Sequence, residues 1–354
     1  MNRTAVLALA AAVTVTALPG VAQAEARTGA ASATSLRTSA SASSLRASAS
    51  ATSTKKTIRY AWVKSCKKKD YTVPCGPWTL TLRDGSRVPL KDARVFPLDG
   101  HKVDKESTAP LGVSGDGGSV AYFRASDNRI VVRDIRTNRV RVLPGAAARL
   151  PKGVGMSSAD LQIDRTGRSV AVSYQADKPK PSLVADLTSG TVHTLRSDVN
   201  VQSFSPDGGH LLATRSTGEN TTEFLVYDRD GHRTESRVVP QVVANNTPIA
   251  LADDGASLAL IITAPSGKQR LRVYDLAGDT VGDPVDVKVP KGESAYGMQW
   301  TSGDSLDLWE TRSDKNGNTT GAIRRGLDPA TGAAPKLDSF VITSKAWTWW
   351  LPGE

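Results

Sequence analysis

Ser203-Phe204-Ser205-Pro206-Asp207-Gly208-Gly209-His210-Leu211-Leu212-Ala213-Thr214 reads as one structural unit: a short strand, an Asp-Gly turn, and an apolar strand leaving the turn. A tight connection between antiparallel strands needs a residue at positive φ, and glycine takes that conformation at little cost. The unit returns in degenerate form as GVSGDGGSVAYF, LQIDRTGRSVAV, ALADDGASLALI and QWTSGDSLDLW, with its glycine at 117, 167, 208, 255 and 303. A second turn follows a later strand that ends in apolar-x-Asp: TLRDGS, VVRDIRTN, LVADLTSG, LVYDRDG, RVYDLAGD and RGLDPATG. Its aspartates are Asp84, Asp134, Asp186, Asp228, Asp275 and Asp328.

Both series advance by 41 to 53 residues, the length of one four-stranded propeller blade. Each repeat becomes strand a, Asp-Gly turn, strand b, loop, strand c, Asp-led turn, strand d. The aspartate series starts at Asp84 with no glycine turn before it, and one further period beyond Gly303 falls on Gly353. The first repeat thus has strands b, c and d (58–63, 78–83, 87–90) but no strand a, while 346–351 forms a strand a with no blade of its own. Pairing the two closes the ring and leaves no sheet edge open. The expectation is an all-β, six-bladed β-propeller, preferred to a seven-bladed one. Its blades cover 346–354 with 57–98, then 109–144, 159–196, 200–240, 247–290 and 295–343.

Ser205-Pro206-Asp207-Gly208 before an apolar strand, echoed in the other repeats, resembles the TolB-type repeats of bacterial periplasmic and secreted propellers, and more loosely WD-repeat propellers. Only the third glycine repeat keeps the whole motif; Asp164 to Gly167 and Ser302 to Asp304 depart from it. The resemblance spans 58–354 and implies a ring that serves as a binding platform. The motif residues are turn formers, so it implies no catalytic residue.

Composition agrees. Of 35 acidic residues 27 are Asp and 8 are Glu, beside 30 Gly and 19 Pro, a supply suited to turns and poor for a helical bundle. The net charge of +10 suggests nucleic acid, yet aromatics are 5% and no basic-aromatic run of a nucleic-acid module occurs. Met1-Asn2-Arg3, an apolar run from Ala5 to Leu18, and Ala22-Gln23-Ala24 form the pattern of a secretory signal peptide (1–24) cleaved after Ala24. Residues 25–56 are Ser, Ala, Thr and Arg with nothing to bury, and are expected to be a disordered tether. The product is expected outside the cytoplasm, secreted or in the cell envelope, as a monomer with no membrane span once the signal is removed. No nucleic-acid partner is expected there.

No HExxH, P-loop or dinucleotide fingerprint occurs, and Gly112-Val113-Ser114-Gly115-Asp116 fails the nucleophile-elbow pattern at its last position. Asp314-Lys315-Asn316-Gly317-Asn318 fails as a calcium loop, because glycine comes fourth and the twelfth place is Arg325. No catalytic residue, metal or cofactor is assigned. Cys66 and Cys75, in an exported chain, are expected to form a disulfide across the loop between strands b and c of the first blade. Trp347 and Trp349 fall on one face of the closing strand and Trp350 on the other. They either pack between blades or form an aromatic platform at the channel mouth for a sugar ring or peptide.

The signal and tether carry half of the net charge. The six b–c loops (64–77, 124–129, 175–181, 215–222, 263–269, 312–320) hold 12 Lys or Arg against 5 Asp or Glu. Lys64, Lys67, Lys68 and Lys69 are the densest group. The sequence therefore supports an exported, non-catalytic binding or scaffold propeller whose basic loop face meets an anionic envelope polymer or a protein. The alternative is a hydrolase or lyase using the central channel, which requires two or more carboxylates or His to converge there.

Overall fold

The computed structural model describes residues 56–176, 178–301 and 303–354. The signal peptide, the cleavage point after Ala24 and all of the tether before Lys56 lie outside the described residues. Six antiparallel sheets form the blades of a ring, each with strands in the order a-b-c-d from the centre outward. The first blade combines Ala346–Trp350 as strand a with Ile58–Lys68, Tyr71–Leu82 and Arg87–Leu90. Ala61 pairs with Trp350, Trp62 with Trp349 and Val63 with Thr348, so the two ends of the propeller segment share one sheet, as the offset of the two turn series requires. The other inner strands are Leu111–Val113, Ala159–Ile163, Asn200–Phe204, Ile249–Leu251 and Glu293–Thr301. Among the described residues helix is confined to three short turns, Gly145–Ala148, Met156–Ser158 and Gln241–Ala244. No helix among them is long and apolar enough to cross a membrane.

The turn chemistry explains why the blades form where they do. At all six c–d turns the aspartate carboxylate accepts backbone N–H groups two to four residues ahead, for example Asp84 from Ser86 at 2.8 Å, Asp228 from His232 at 2.8 Å and Asp328 from Ala330 at 2.8 Å. Asp134, Asp186 and Asp275 do the same. The short Asp side chain closes such a turn, whereas Glu is one methylene too long to match it. At the a–b turns Gly117 sits at φ +71°, and a Cβ there would lie 2.5 Å from the Ile58 carbonyl of the neighbouring blade. That close approach lets Ile58 N–H donate to the Gly117 carbonyl at 2.7 Å and ties blade 1 to blade 2. Gly353, at φ +84°, takes the equivalent place in blade 1, with its N–H donating to Val113 at 2.9 Å. Gly303, by contrast, opens strand b of blade 6.

Six apolar clusters fill the six spaces between neighbouring blades. Ile58, Trp78, Leu80, Val113 and Tyr122 join blades 1 and 2, and comparable sets join each later pair. Alternation along each strand sends successive side chains to opposite neighbours, so one strand serves two interfaces. The closing interface between blades 6 and 1 is the aromatic one: Tyr60, Trp62 and Trp309 are buried there against Phe340 and Trp349. Tyr60 stacks on Phe340 with centroids 5.2 Å apart, and Trp309 meets Phe340 edge-on at 6.1 Å. Such pairs add about 0.5–1.5 kcal/mol each beyond their burial.

Blades 5 and 6 are also joined by a buried polar cluster. Arg325 donates to Glu310 at 2.6 Å and to Glu293, while Gln269 of blade 5 donates to Glu310 at 3.1 Å. All four side chains are buried, so their charges are held by one another rather than by water.

Candidate functional site

Connections b–c and d–a emerge on one face of the ring, and the structure changes the expected shape of the first of them. The segment 64–77 is not a loop: strands b and c of blade 1 continue to Lys68 and resume at Tyr71, forming a two-stranded arm with Lys69-Asp70 at its tip. The sheet partners stop earlier, since strand a pairs with strand b only as far as Lys64 and strand d pairs with strand c only from Trp78 onward. An arm with no apolar face carries no alternating signal, so the hydrophobic pattern could not reveal it. Cys66 and Cys75 are bonded, with Cα atoms 5.9 Å apart, and the bridge staples the arm near its middle.

The four lysines share the arm but differ in state. Lys68 donates to Glu106 at 2.9 Å, Tyr71 donates to the same carboxylate at 2.8 Å, and the ammonium also lies 5.4 Å from the Tyr71 ring centroid. These bonds raise the Lys68 pKa and lower that of Glu106. Lys64, Lys67 and Lys69 are exposed and form no ion pair among the described residues. Lys69 occupies the left-handed turn position, φ 52°.

Trp347 and Trp349 do lie on one side of the closing strand. Both line an open groove of about 560 Å³, whereas Trp350 packs against the blade 1–2 core. The far wall comes from blade 6: Asn318, Thr319 and Thr320 at its b–c hairpin, with Thr343 and Ser344 on the connection to strand a. Three exposed lysines stand beside these lining residues: Lys345 lies between Ser344 and Ala346, Lys64 pairs with Ala346 across the sheet, and Lys315 follows Asp314. Asp314 is committed to its own turn, accepting from Asn316 N–H at 2.8 Å and Asn318 N–H at 3.0 Å. Those bonds hold its carboxyl below the usual range. The groove thus offers two indole faces, several hydroxyls, an amide and the Asp314 carboxylate, with three exposed lysines next to its lining residues in the chain or across the sheet. Sequence reading found Trp347, Trp349 and Lys64; it missed Lys315, Lys345 and the hydroxyls, which only the closure of the ring brings together.

Trp349 also meets Tyr296 in a tilted contact, ring centroids 5.1 Å apart, and Tyr296 in turn lines the central channel. There a cavity of about 360 Å³ is lined by Gln162, Gln202 and Gln299 from three inner strands and by Glu354. Glu354 is turned back into the channel: its N–H donates to Leu351 carbonyl, its Oε2 accepts from Leu351 N–H at 2.8 Å, and its Oε1 accepts from the Tyr296 hydroxyl. Burial, aided by the charge of Asp160, pushes the Glu354 carboxyl up to about 6. Glu354 is the carboxylate among the described residues that line this cavity, and both its oxygens are already bonded to protein donors. A glutamine shortly before the a–b turn in three repeats was the available signal. On the opposite face Asp228, Asp230 and His232 approach within 4.8 Å at one exposed turn. Asp228 there accepts two backbone N–H groups through one oxygen.

The fold and these surfaces define a six-bladed β-propeller with a stapled arm, a tryptophan groove and a polar channel. Neither a protein-family model nor a curated protein matches the sequence. Solved structures similar to it include TolB from Acinetobacter baumannii, at 13% identity and a TM-score of 0.38, covering 82% of this chain and 81% of that one. Another is oligogalacturonate lyase from Vibrio parahaemolyticus, at 10% identity, TM-score 0.44 and 82% of both chains. A third is the β-propeller domain of Cps50 (Swd1) from Myceliophteria thermophila, at 18% identity, TM-score 0.38, covering 69% and 74% respectively.

Proposed function

We propose that this protein is an extracytoplasmic, monomeric binding module that holds an acidic glycan of the cell envelope on its b–c and d–a face. The observation that carries the reading is the groove lined by Trp347, Trp349, Asn318, Thr319 and Thr320, whose lining residues have the exposed Lys64, Lys315 and Lys345 as chain or sheet neighbours. Indole faces stack on the C–H face of a sugar ring, hydroxyls and amides bond its hydroxyls, and ammonium groups meet its acidic substituents. The basic arm adds a field that draws a polyanion to this side of the ring. The leader pattern of residues 1–24 and the Cys66–Cys75 bridge support an oxidising, exported setting.

The test is titration of the folded protein with polygalacturonate and with a neutral glucan at two salt concentrations. Binding should favour the acidic polymer and weaken with salt, because exposed charges are screened over about 10 Å at 0.1 M. Trp347→Ala should lower affinity about 10-fold, equivalent to about 1.4 kcal/mol, and Lys64→Glu with Lys345→Glu should flatten the salt dependence. Equal binding of both polymers, or affinity indifferent to these substitutions, would overturn the reading.

A further inference from the structure

The central channel is a separate cavity on the other side of the Tyr296–Trp349 pair, and its chemistry differs from that of the groove. Lys and Arg are missing from the residues that line it, so it has no cation to hold an anionic group. Donors and acceptors are instead interleaved. Gln202 donates its amide N–H to Thr214 at 3.0 Å, which leaves the carbonyl oxygen to accept. Gln162 makes only a long contact, 3.5 Å, with Asp160. Ser203 Oγ and Trp309 Nε1 have no hydrogen-bond partner but are enclosed away from the open space of the cavity, so a guest there would not contact them in this arrangement. Ile249, Met298 and Leu351 supply apolar wall between the polar groups. A volume of about 360 Å³ lies at the lower end of small-molecule sites.

We infer that the channel is a second binding site, for a neutral polyhydroxylated ligand the size of one sugar unit. Its hydroxyls would donate to Glu354 and to the amide oxygens, and would accept from the amide nitrogens. Its C–H surface would rest on the apolar wall. Gln299 donates its amide N–H to Gly115 carbonyl at 3.2 Å and, like Gln202, keeps its carbonyl oxygen to accept. This site is independent of the acidic-glycan groove.

Ligand-observed NMR on the full folded chain tests it, with glucose, galactose and N-acetylglucosamine as neutral probes and glucosamine and glucuronic acid as charged analogues. Saturable binding of a neutral probe at roughly 10 mM or below is expected, with both charged analogues weaker. Glu354→Ala and Gln202→Leu should each lower that affinity about 10-fold with the thermal midpoint little changed, while Glu354→Gln, which keeps an acceptor for Tyr296, retains most of it. Trp347→Ala should leave it unchanged, so failure of the groove reading and failure of this one are separable. Preference for glucosamine would make the channel a cation site and overturn the inference. So would no saturable neutral binding, or a loss that follows Trp347→Ala instead of Glu354→Ala.

Discussion

The chain treats its two acidic residues as different tools. Aspartate recurs because a short carboxylate can cap the turn that follows it, and the c–d turns use it that way in every blade. Glutamate is scarce and appears where a longer reach spans elements: Glu293 and Glu310 around Arg325, Glu223 with Arg215, Glu106 with the arm, Glu354 in the channel. Glu354 gives a pH prediction. Its carboxyl is raised from the ordinary 4.5 to about 6 by burial, so between those values the folded state binds more protons than the unfolded one. Stability from this group is therefore present at low pH and lost as pH rises through the window, by about 2 kcal/mol in all. Denaturant unfolding at pH 4.5 and 6.5, which spans most of that window, should show the parent losing about 1.5 kcal/mol more than Glu354→Gln; parallel losses would contradict it.

The blade 1 arm is the element that departs most from expectation. Its disulfide was legible from two cysteines in a chain expected from its leader pattern to be exported, but the extended hairpin was not, since Lys64-Ser65-Cys66-Lys67-Lys68 presents no buried face. Closing so small a loop restricts the unfolded chain by about 2–3 kcal/mol in the chain-entropy account. The arm lies beyond the sheet partners of blade 1, so much of that stabilisation should be local. In Cys66→Ser/Cys75→Ser the amides of Lys67 to Tyr71 should exchange faster while those of Trp78 to Leu82 remain protected. Loss of protection throughout blade 1 would show instead that the bridge supports the ring.

At the scale of the whole molecule the decisive event is closure. Residues 346–354 give strand a to blade 1, Trp350 to the blade 1–2 core, Leu351 to the blade 6–1 core and Glu354 to the channel. Removing them exposes the edge of Ile58–Lys68, a template for association. A chain ending at residue 345 should lose its cooperative transition and elute as larger species than the parent. A truncated protein that elutes as the parent does and stays within about 1 kcal/mol of it would refute this role.

The repeats, the number of blades and the meeting of the two ends were readable in the sequence, because turn chemistry and strand alternation act over a few residues and recur at a fixed spacing. The tryptophan pair was readable too, as a matter of alternation. The groove and the channel were not. Each gathers side chains from blades far apart in the chain, and a shift of one residue in register would turn those side chains to the opposite face. Which residues converge at a site was therefore decided only when the ring closed.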